Sequence, residues 1–139
     1  MKSNMFKALT ILAAALAIAV PMIQAQSRLD ARVPFAFIAG EKSMPAGSYE
    51  ISTSGAAPVL CSLETNQSRF LMNSIHLQDW NAKSSKLVFH KYGDQYFLSE
   101  IWDGQSSIGV KLAESRREKE TKMAADHSSR ETVVIAMVK

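Results

Sequence analysis

The chain has 139 residues, 47% of them hydrophobic and 21% charged, and its 16 basic and 13 acidic side chains give a formal charge of +3. This length fits one domain, and so small a basic excess gives no support to nucleic-acid binding. Cys61 is the single cysteine, so an internal disulfide is excluded and stability must come from the core. We interpret Cys61 as a small buried apolar residue, with an intermolecular disulfide as the alternative.

Residues 1–25 have the pattern of a secretory signal peptide. Lys2 and Lys7 supply the positive start, and residues 8–20 form an apolar run without a charge. The run is shorter than the about 20 residues that cross a bilayer, although an uncleaved anchor is the alternative. Cleavage would leave a single β-rich domain at 26–139, in the periplasm or outside the cell, and would reduce the formal charge from +3 to +1.

The next part of the chain alternates short β-prone runs with segments rich in Gly, Pro, Asn and Ser. Such alternation predicts short strands joined by turns. We expect turns at 39–43 and 44–47 and a loop at 76–85, and strands at 33–38, 48–53, 59–63 and 68–75.

A β-hairpin is predicted at 87–102, where two β-rich runs flank Gly93-Asp94. Glycine at the first loop position suits a type II′ turn, because this turn requires a positive φ there. The two-residue loop would pair Tyr92 with Gln95, His90 with Phe97, and Phe89 with Leu98.

Each face of the hairpin would carry apolar side chains, so we expect both faces to be covered. One face would present Leu87, Phe89, Lys91, Tyr96, Leu98, Glu100 and Trp102. The other would present Val88, His90, Tyr92, Gln95, Phe97, Ser99 and Ile101.

In the last third of the chain, the sequence pattern changes from strand to helix and then back to strand. After a short strand at 105–111, residues 112–126 are rich in helix formers, with Arg116–Glu120 and Glu118–Lys122 spaced to pair. The apolar stripe is thin, which predicts a solvated helix that packs weakly or frays. Residues 132–138 predict a final strand that is apolar on both faces, and therefore inside the sheet or covered.

Seven to eight short strands with one late helix predict a mainly β fold. The two architectures that fit are an antiparallel sandwich and a small, partly open barrel. Several strands are shorter than the about 9–11 residues of an outer-membrane barrel strand.

Two stretches, 33–49 and 87–102, followed by Ser115-Arg-Arg-Glu118, together resemble a group of small secreted proteins of soil Acidobacteria. The resemblance covers most of the chain after the signal and implies a bacterial, exported protein. The group has no established function, so no functional residues are implied. Separately, Pro45-Ala-Gly-Ser-Tyr49 is similar to the Pro-x-Gly-x-Tyr turn of transthyretin-like and carboxypeptidase-regulatory-like sandwich modules.

No catalytic, cofactor-binding or metal-binding motif is complete. His76, His90 and His127 could be combined with Asp79 or Glu100, but they lie on different elements and lack ligand spacing. Glu100 and Asp103 could be imagined as an acid pair, yet nothing fixes the separation of their carboxyl groups. The aromatic residues of the hairpin are better interpreted as sheet core than as a sugar-stacking pocket; they are Phe89, Tyr92, Tyr96, Phe97 and Trp102.

The sequence therefore predicts an exported, non-enzymatic β-domain that acts as a binding or structural module, with no transmembrane segment after signal cleavage. It does not identify ligand-binding residues or a partner. One alternative is a carrier that holds a small apolar ligand inside a barrel. Another is an assembly subunit that uses the strand at 132–138 to extend a neighbouring sheet.

Overall fold

A computed structural model describes residues 28–125 and 129–139, and the predicted signal at 1–25 lies outside them. The described residues form eleven β-strands and one α-helix. In chain order these are β1 (Arg28–Val33), β2 (Phe37–Ala39), β3 (Lys42–Met44), β4 (Gly47–Ser52), β5 (Val59–Ser62), β6 (Ser68–Phe70), β7 (Ser74–Gln78), β8 (Ser85–Tyr92), β9 (Gln95–Asp103), β10 (Ile108–Leu112), α1 (Arg116–Ala124) and β11 (Arg130–Ala136).

The strands form two open sheets that pack face to face. The first has the order β1-β4-β5-β6, and the second has the order β11-β8-β9-β10-β7. β2 adds to the second sheet by a parallel pairing of Ile38 with Phe97 and pairs with β3 on its other side. A bridge between Asp30 and Val138 links the two sheets at one corner. The mainly β prediction is confirmed, and the sandwich describes the fold better than the barrel.

The described part of the chain contains eleven strands rather than the predicted seven or eight. The predicted strand at 33–38 is divided, because Pro34 has no N–H to donate and the chain leaves the first sheet there. The predicted strand at 68–75 is also divided, since β6 ends the first sheet and β7 begins the edge of the second. β3 occupies part of the predicted turn at 39–43, and β7 extends into the predicted loop at 76–85.

The core fills the space between the sheets. Its fully buried side chains include Leu29 and Val33 from β1, Ile51 from β4 and Leu60 from β5. Burial of each side chain of this size contributes about 2 kcal/mol to folding. Tyr49 is also fully buried, and its hydroxyl donates a hydrogen bond to the carbonyl oxygen of Pro45. The Pro45–Tyr49 turn is therefore fixed to the core by its own tyrosine.

The hairpin has the predicted tight turn. Tyr92 pairs with Gln95 across a two-residue loop, and Gly93 has a φ of 59°. Asn66 is the only non-glycine residue with a positive φ in the described part of the chain, so Asp94 has a negative φ, as a type II′ turn requires. The predicted pairs of His90 with Phe97 and of Phe89 with Leu98 are also present.

The predicted faces are wrong beyond Leu98. A β-bulge between Val88 and Phe89 pairs Val88 with Glu100, which leaves Ser99 as the extra residue. After the bulge, Ile101 rather than Trp102 shares the inner face with Leu87. An added residue reverses the alternation of every side chain that follows it.

Both faces of the hairpin are covered, as predicted. The inner face, including Phe89, packs into the main core with Phe35 and Phe37. On the outer face, Phe97 and Tyr92 pack with Ile38 and Ala125 beside α1. Trp102 packs with Val88 and Ala82 from the loop that follows β7. The interpretation of these aromatic residues as core is therefore confirmed, with Tyr96 partly buried and stacked on Phe35.

The helix is shorter than the predicted 112–126. Leu112 ends β10, and α1 begins after Ser115, whose hydroxyl oxygen accepts a hydrogen bond from the N–H of Glu118. Serine is a favoured residue at this position because it satisfies an N–H that the first turn leaves free. The helix buries Glu118 rather than an apolar stripe, so a polar contact helps to hold it on the sheet.

The final strand is Arg130–Ala136 rather than 132–138, and it is an edge strand. It pairs with β8 along its length, Met137 still donates its N–H to the carbonyl oxygen of Ser85 on β8, and Val138 then bonds to Asp30 of the first sheet. Thr132 and Val134 are exposed, so the prediction that both faces would be covered is wrong. The apolar pattern could not show that one face of this edge strand would be left exposed.

Candidate ligand-binding cleft

The two sheets are open at the side where β6 and β7 lie. β6 is the last strand of the first sheet, β7 is the last strand of the second, and residues 71–73 join them. A cleft of about 420 Å³ opens beside this connection. This volume falls within the range of small-molecule sites in proteins. The cleft is lined by Ala39, Gly40, Glu41, Ser68, Arg69, Phe70, Leu71, Met72, Asn73, Leu112, Ala113, Glu114 and Ser115.

Arg69 occupies the inner face of β6. It pairs directly with Leu60 of β5, which is fully buried in the core, and paired residues share one face of a sheet. Its Nε is buried and has no hydrogen-bond partner among the described residues. Arg69 also takes part in none of the ion pairs that these residues form. A cation thus lies where the alternation of the strand would place an apolar side chain.

The two carboxylates that line the cleft already have partners. Oε1 of Glu41 accepts a hydrogen bond of 2.9 Å from the N–H of Arg116, at the start of α1. Oε1 of Glu114 lies 2.9 Å from Nζ of Lys122. This hydrogen bond lowers the pKa of Glu114 and raises the pKa of Lys122, so both side chains remain charged at neutral pH. Neither acid forms an ion pair with Arg69.

The cleft has an apolar floor and an apolar rim. Ala39, Leu71 and Leu112 belong to the main core cluster and also line the cleft, so its floor is continuous with the core. Phe70 and Met72 lie at the rim with 62% and 75% of their surface exposed. Exposed large apolar side chains beside a concave site are typical of binding surfaces.

A smaller recess of about 200 Å³ lies near the start of β10. It is lined by Thr53, His76, Ile101, Asp103, Ser106, Ile108 and Val110. Its carboxylate, Asp103, accepts hydrogen bonds from the N–H groups of Gln105 and Ser106 and from the Ser106 hydroxyl. This pattern stabilises the β9–β10 turn, so we assign Asp103 a structural role.

His90 and Glu118 form a buried pair between the second sheet and α1. Nδ1 of His90 lies 3.1 Å from Oε1 of Glu118, and the two side chains are 13% and 6% exposed. Tyr92 is buried beside them, and burial, followed by the carboxylate of Glu118, raises the pKa of Tyr92. The cluster is covered by the helix and lies outside the lining of the cleft, which fits a role in holding α1 in place.

One of the two ion pairs predicted for the helix is present in the structure. Arg116 and Glu120 pair at 3.0 Å as predicted. The predicted pair of Glu118 with Lys122 is wrong, because Glu118 contacts His90 and Lys122 contacts Glu114. Spacing along a helix could not show that Glu118 faces the sheet.

Among the described residues, the structure does not bring together those that the sequence offered for a metal site, although His76 and Asp103 both line the smaller recess. His76 lies on β7, His90 is paired under α1, and His127 lies outside the described residues. Glu100 accepts a hydrogen bond of 2.9 Å from Nε1 of Trp102. No group of three or more His, Cys, Asp or Glu residues suited to a metal ion occurs in 28–125 and 129–139.

Cys61 is half-buried rather than buried. It alternates with the buried Leu60 on β5, so it lies on the outer face of the first sheet, between Glu50 and Ser68. The apolar residues around it in sequence could not show which face it would occupy.

Sequence reasoning missed Arg69 altogether. In the run Ser68-Arg-Phe-Leu-Met, either the arginine or the phenylalanine could have faced inward. The direction of Arg69 follows from its pairing with Leu60 on the preceding strand, because Leu60 is buried in the core.

Comparisons with protein-family models, with curated proteins and with solved structures find no match to this chain. Among the described residues, no helix is both long and apolar enough to span a membrane.

Proposed function

We propose that this protein is an exported binding module that holds a small amphipathic ligand in the cleft between β6, the β2–β3 turn and the segment before α1. The observation that carries the proposal is a cleft of about 420 Å³ whose floor is apolar core and whose wall contains Arg69, whose buried Nε has no hydrogen-bond partner within 28–125 and 129–139. A few polar groups in a largely apolar concave site are typical of ligand sites.

The packing of the interior favours the cleft over a barrel lumen as the place for a ligand. The space between the sheets is filled by large side chains such as Tyr49, Phe37 and Phe89, each 2% exposed or less. A carrier of an apolar molecule inside a barrel would need that space to be empty. The cleft, in contrast, is open at the surface beside Phe70 and Met72.

Export is supported by residues 1–25, whose charge and apolar run have the signal-peptide pattern. A non-enzymatic role is supported by the state of the acids near the cleft, since Glu41 and Glu114 are both engaged in structural contacts. Neither carboxylate is placed as a free base or nucleophile.

The binding of N-phenyl-1-naphthylamine, a neutral apolar fluorophore, tests the proposal. We expect saturable binding, with amide chemical-shift changes concentrated at 68–73 and 112–115. The variant Ala113→Trp, which fills the cleft from an exposed position, should abolish binding. Ala136→Trp, also exposed but on β11, should bind as the wild type does. Absence of binding of both this fluorophore and its sulfonated analogue, 8-anilino-1-naphthalenesulfonate, or equal binding by both variants, would reject the cleft as the site.

Self-association through β11 is a second candidate, favoured by the edge position of this strand and by the exposed side chain of Val134. An unpaired strand edge can add to a neighbouring sheet. Light scattering should then show a dimer that Val134→Lys converts to a monomer. A wild-type monomer at high concentration would reject this candidate.

A further inference from the structure

We propose that the ligand of the cleft carries an anionic group, a carboxylate, sulfonate or phosphate ester attached to an apolar body, and that the guanidinium of Arg69 binds this group. The inference rests on the proposed function, because it names the class of molecule that the cleft would take.

The position of Arg69 favours an anion. Its pairing with Leu60 directs it to the inner face of β6, and its Nε is buried without a hydrogen-bond partner among the described residues. A buried donor that lacks an acceptor is unfavourable. A guanidinium presents planar N–H donors that match the oxygens of an anionic group in a two-point contact. A ligand anion would therefore remove a cost that the free protein bears.

The neighbouring charges leave Arg69 available. Glu114 is neutralised by Lys122 at 2.9 Å. Glu41 faces the N-terminus of α1 and accepts the N–H of Arg116, where the partial positive charge of the helix offsets it. Each of the two acids at the cleft is thus compensated by a partner other than Arg69. A neutral or cationic ligand would leave the arginine unpaired.

The apolar body follows from the rest of the lining. Leu71 and Leu112 form a buried floor, and Phe70 and Met72 stand exposed at the rim. A small inorganic anion would contact Arg69 but would leave this apolar surface in water. A molecule with one anionic end and one apolar end would cover both parts of the cleft.

An inward-facing charge on an edge strand has another known effect, which is to prevent a second sheet from adding to that edge. Protection of the edge requires no ligand, whereas anion binding predicts selectivity between molecules that differ in charge alone. Two fluorophores make that comparison, because 8-anilino-1-naphthalenesulfonate has the same aromatic body as N-phenyl-1-naphthylamine with a sulfonate added.

The experiment compares the dissociation constants of the two fluorophores in the wild type, in Arg69→Met and in Arg69→Gln. We expect Arg69→Met to weaken binding of the sulfonate at least about tenfold, the effect of losing one charge-assisted contact. Its affinity for the neutral fluorophore should not change. Arg32→Met is the matched control, since Arg32 is an exposed arginine on β1, at the opposite edge of the same sheet.

A direct readout accompanies the affinities. The Nε–H resonance of Arg69 should shift when the sulfonate binds and should remain in place with the neutral fluorophore. If Arg69→Met does not fold, as judged by circular dichroism, Arg69→Gln decides by the same criterion.

The outcomes separate this inference from the proposed function. If both fluorophores bind in the cleft and the Arg69 variants keep full affinity for the sulfonate, the anion proposal is wrong while the binding module stands. If neither fluorophore binds the wild type, the proposed function fails and the inference fails with it. Loss of affinity in Arg32→Met equal to that in Arg69→Met would also overturn the assignment.

Discussion

The imidazole of His90 on β8 and the carboxylate of Glu118 on α1 lie 3.1 Å apart, and this contact joins the helix to the second sheet. Glu118 is the buried residue of α1, so apolar side chains of the helix contribute little to its contact with the sheet. The position of the helix, and with it the segment 112–115 that lines the cleft, therefore depends on a polar contact in addition to the packing of Ala125.

Glu118→Ala should lower the free energy of unfolding by about 2 kcal/mol, since it leaves the His90 nitrogen buried without its partner. His90→Ala should lower it by a similar amount, and the double variant by less than the sum. Glu120→Ala is the control, because its pair with Arg116 is exposed and should contribute little. Urea unfolding measures all four proteins. Additive losses at the two positions would contradict a direct interaction.

The start of α1 should depend on Ser115. Replacement by alanine removes the acceptor for the N–H of Glu118 and should cost about 1 kcal/mol. Glu41→Gln keeps an oxygen near the N–H of Arg116 but removes the charge at the helix N-terminus, so a smaller loss is expected. Ser43→Ala, an exposed change on β3, serves as the control in urea unfolding. A stable Ser115→Ala protein with an unchanged helix would show that the cap is dispensable.

Gly109→Ala should destabilise the second sheet. Gly109 pairs with Trp102, and a Cβ at this glycine would lie 2.5 Å from the Cδ2 and Cε3 atoms of the indole ring. Because Trp102 is buried against Val88 and Ala82, the ring has little room to move, and we expect a loss of about 2 kcal/mol. At Gly55 a Cβ would meet no atom closer than 3.5 Å, so Gly55→Ala should be nearly neutral. Near-ultraviolet circular dichroism would report the displacement of the indole, and an unchanged spectrum at wild-type stability would refute the prediction.

Stability should fall in alkaline solution above about pH 10, where tyrosine begins to ionise in the unfolded chain. Burial raises the pKa of Tyr49 and of Tyr92 above the ordinary value of 10.0, so the folded state holds these protons more tightly than the unfolded state. Their contribution is complete below pH 10 and is lost as the pH rises toward their folded pKa values.

Tyr49→Phe and Tyr92→Phe should each be less sensitive to this rise in pH than the wild type. The comparison is needed because hydrogen bonds to Glu131 and to Glu114 raise the pKa of Lys91 and of Lys122, which gives a loss of the same sign in every variant. Urea midpoints between about pH 9 and about pH 11 provide the measurement. Parallel curves for all three proteins would contradict a raised tyrosine pKa.

The site could be predicted only in part. The strand at 68–75 was visible in the sequence, but its division between two sheets was not, because β6 pairs with the preceding strand β5 whereas β7 pairs with β10, a strand distant in the chain. The cleft lies at that division. An arginine on a short strand does not reveal its direction until Leu60 is placed opposite it.

The sequence by itself determined the mainly β character, the tight turn at Gly93-Asp94, the pairs next to that turn, and a helix near the C-terminus. These features depend on local alternation, on the φ that glycine permits and on residues close together in the chain. Tertiary structure decided the bulge at Val88–Phe89, the burial of Glu118 under the helix and the inward direction of Arg69. The burial of Glu118 depends on a contact with a strand distant in the chain, whereas the bulge and the direction of Arg69 depend on which face of a local strand pair the core covers. Both are decided by packing the whole core at once.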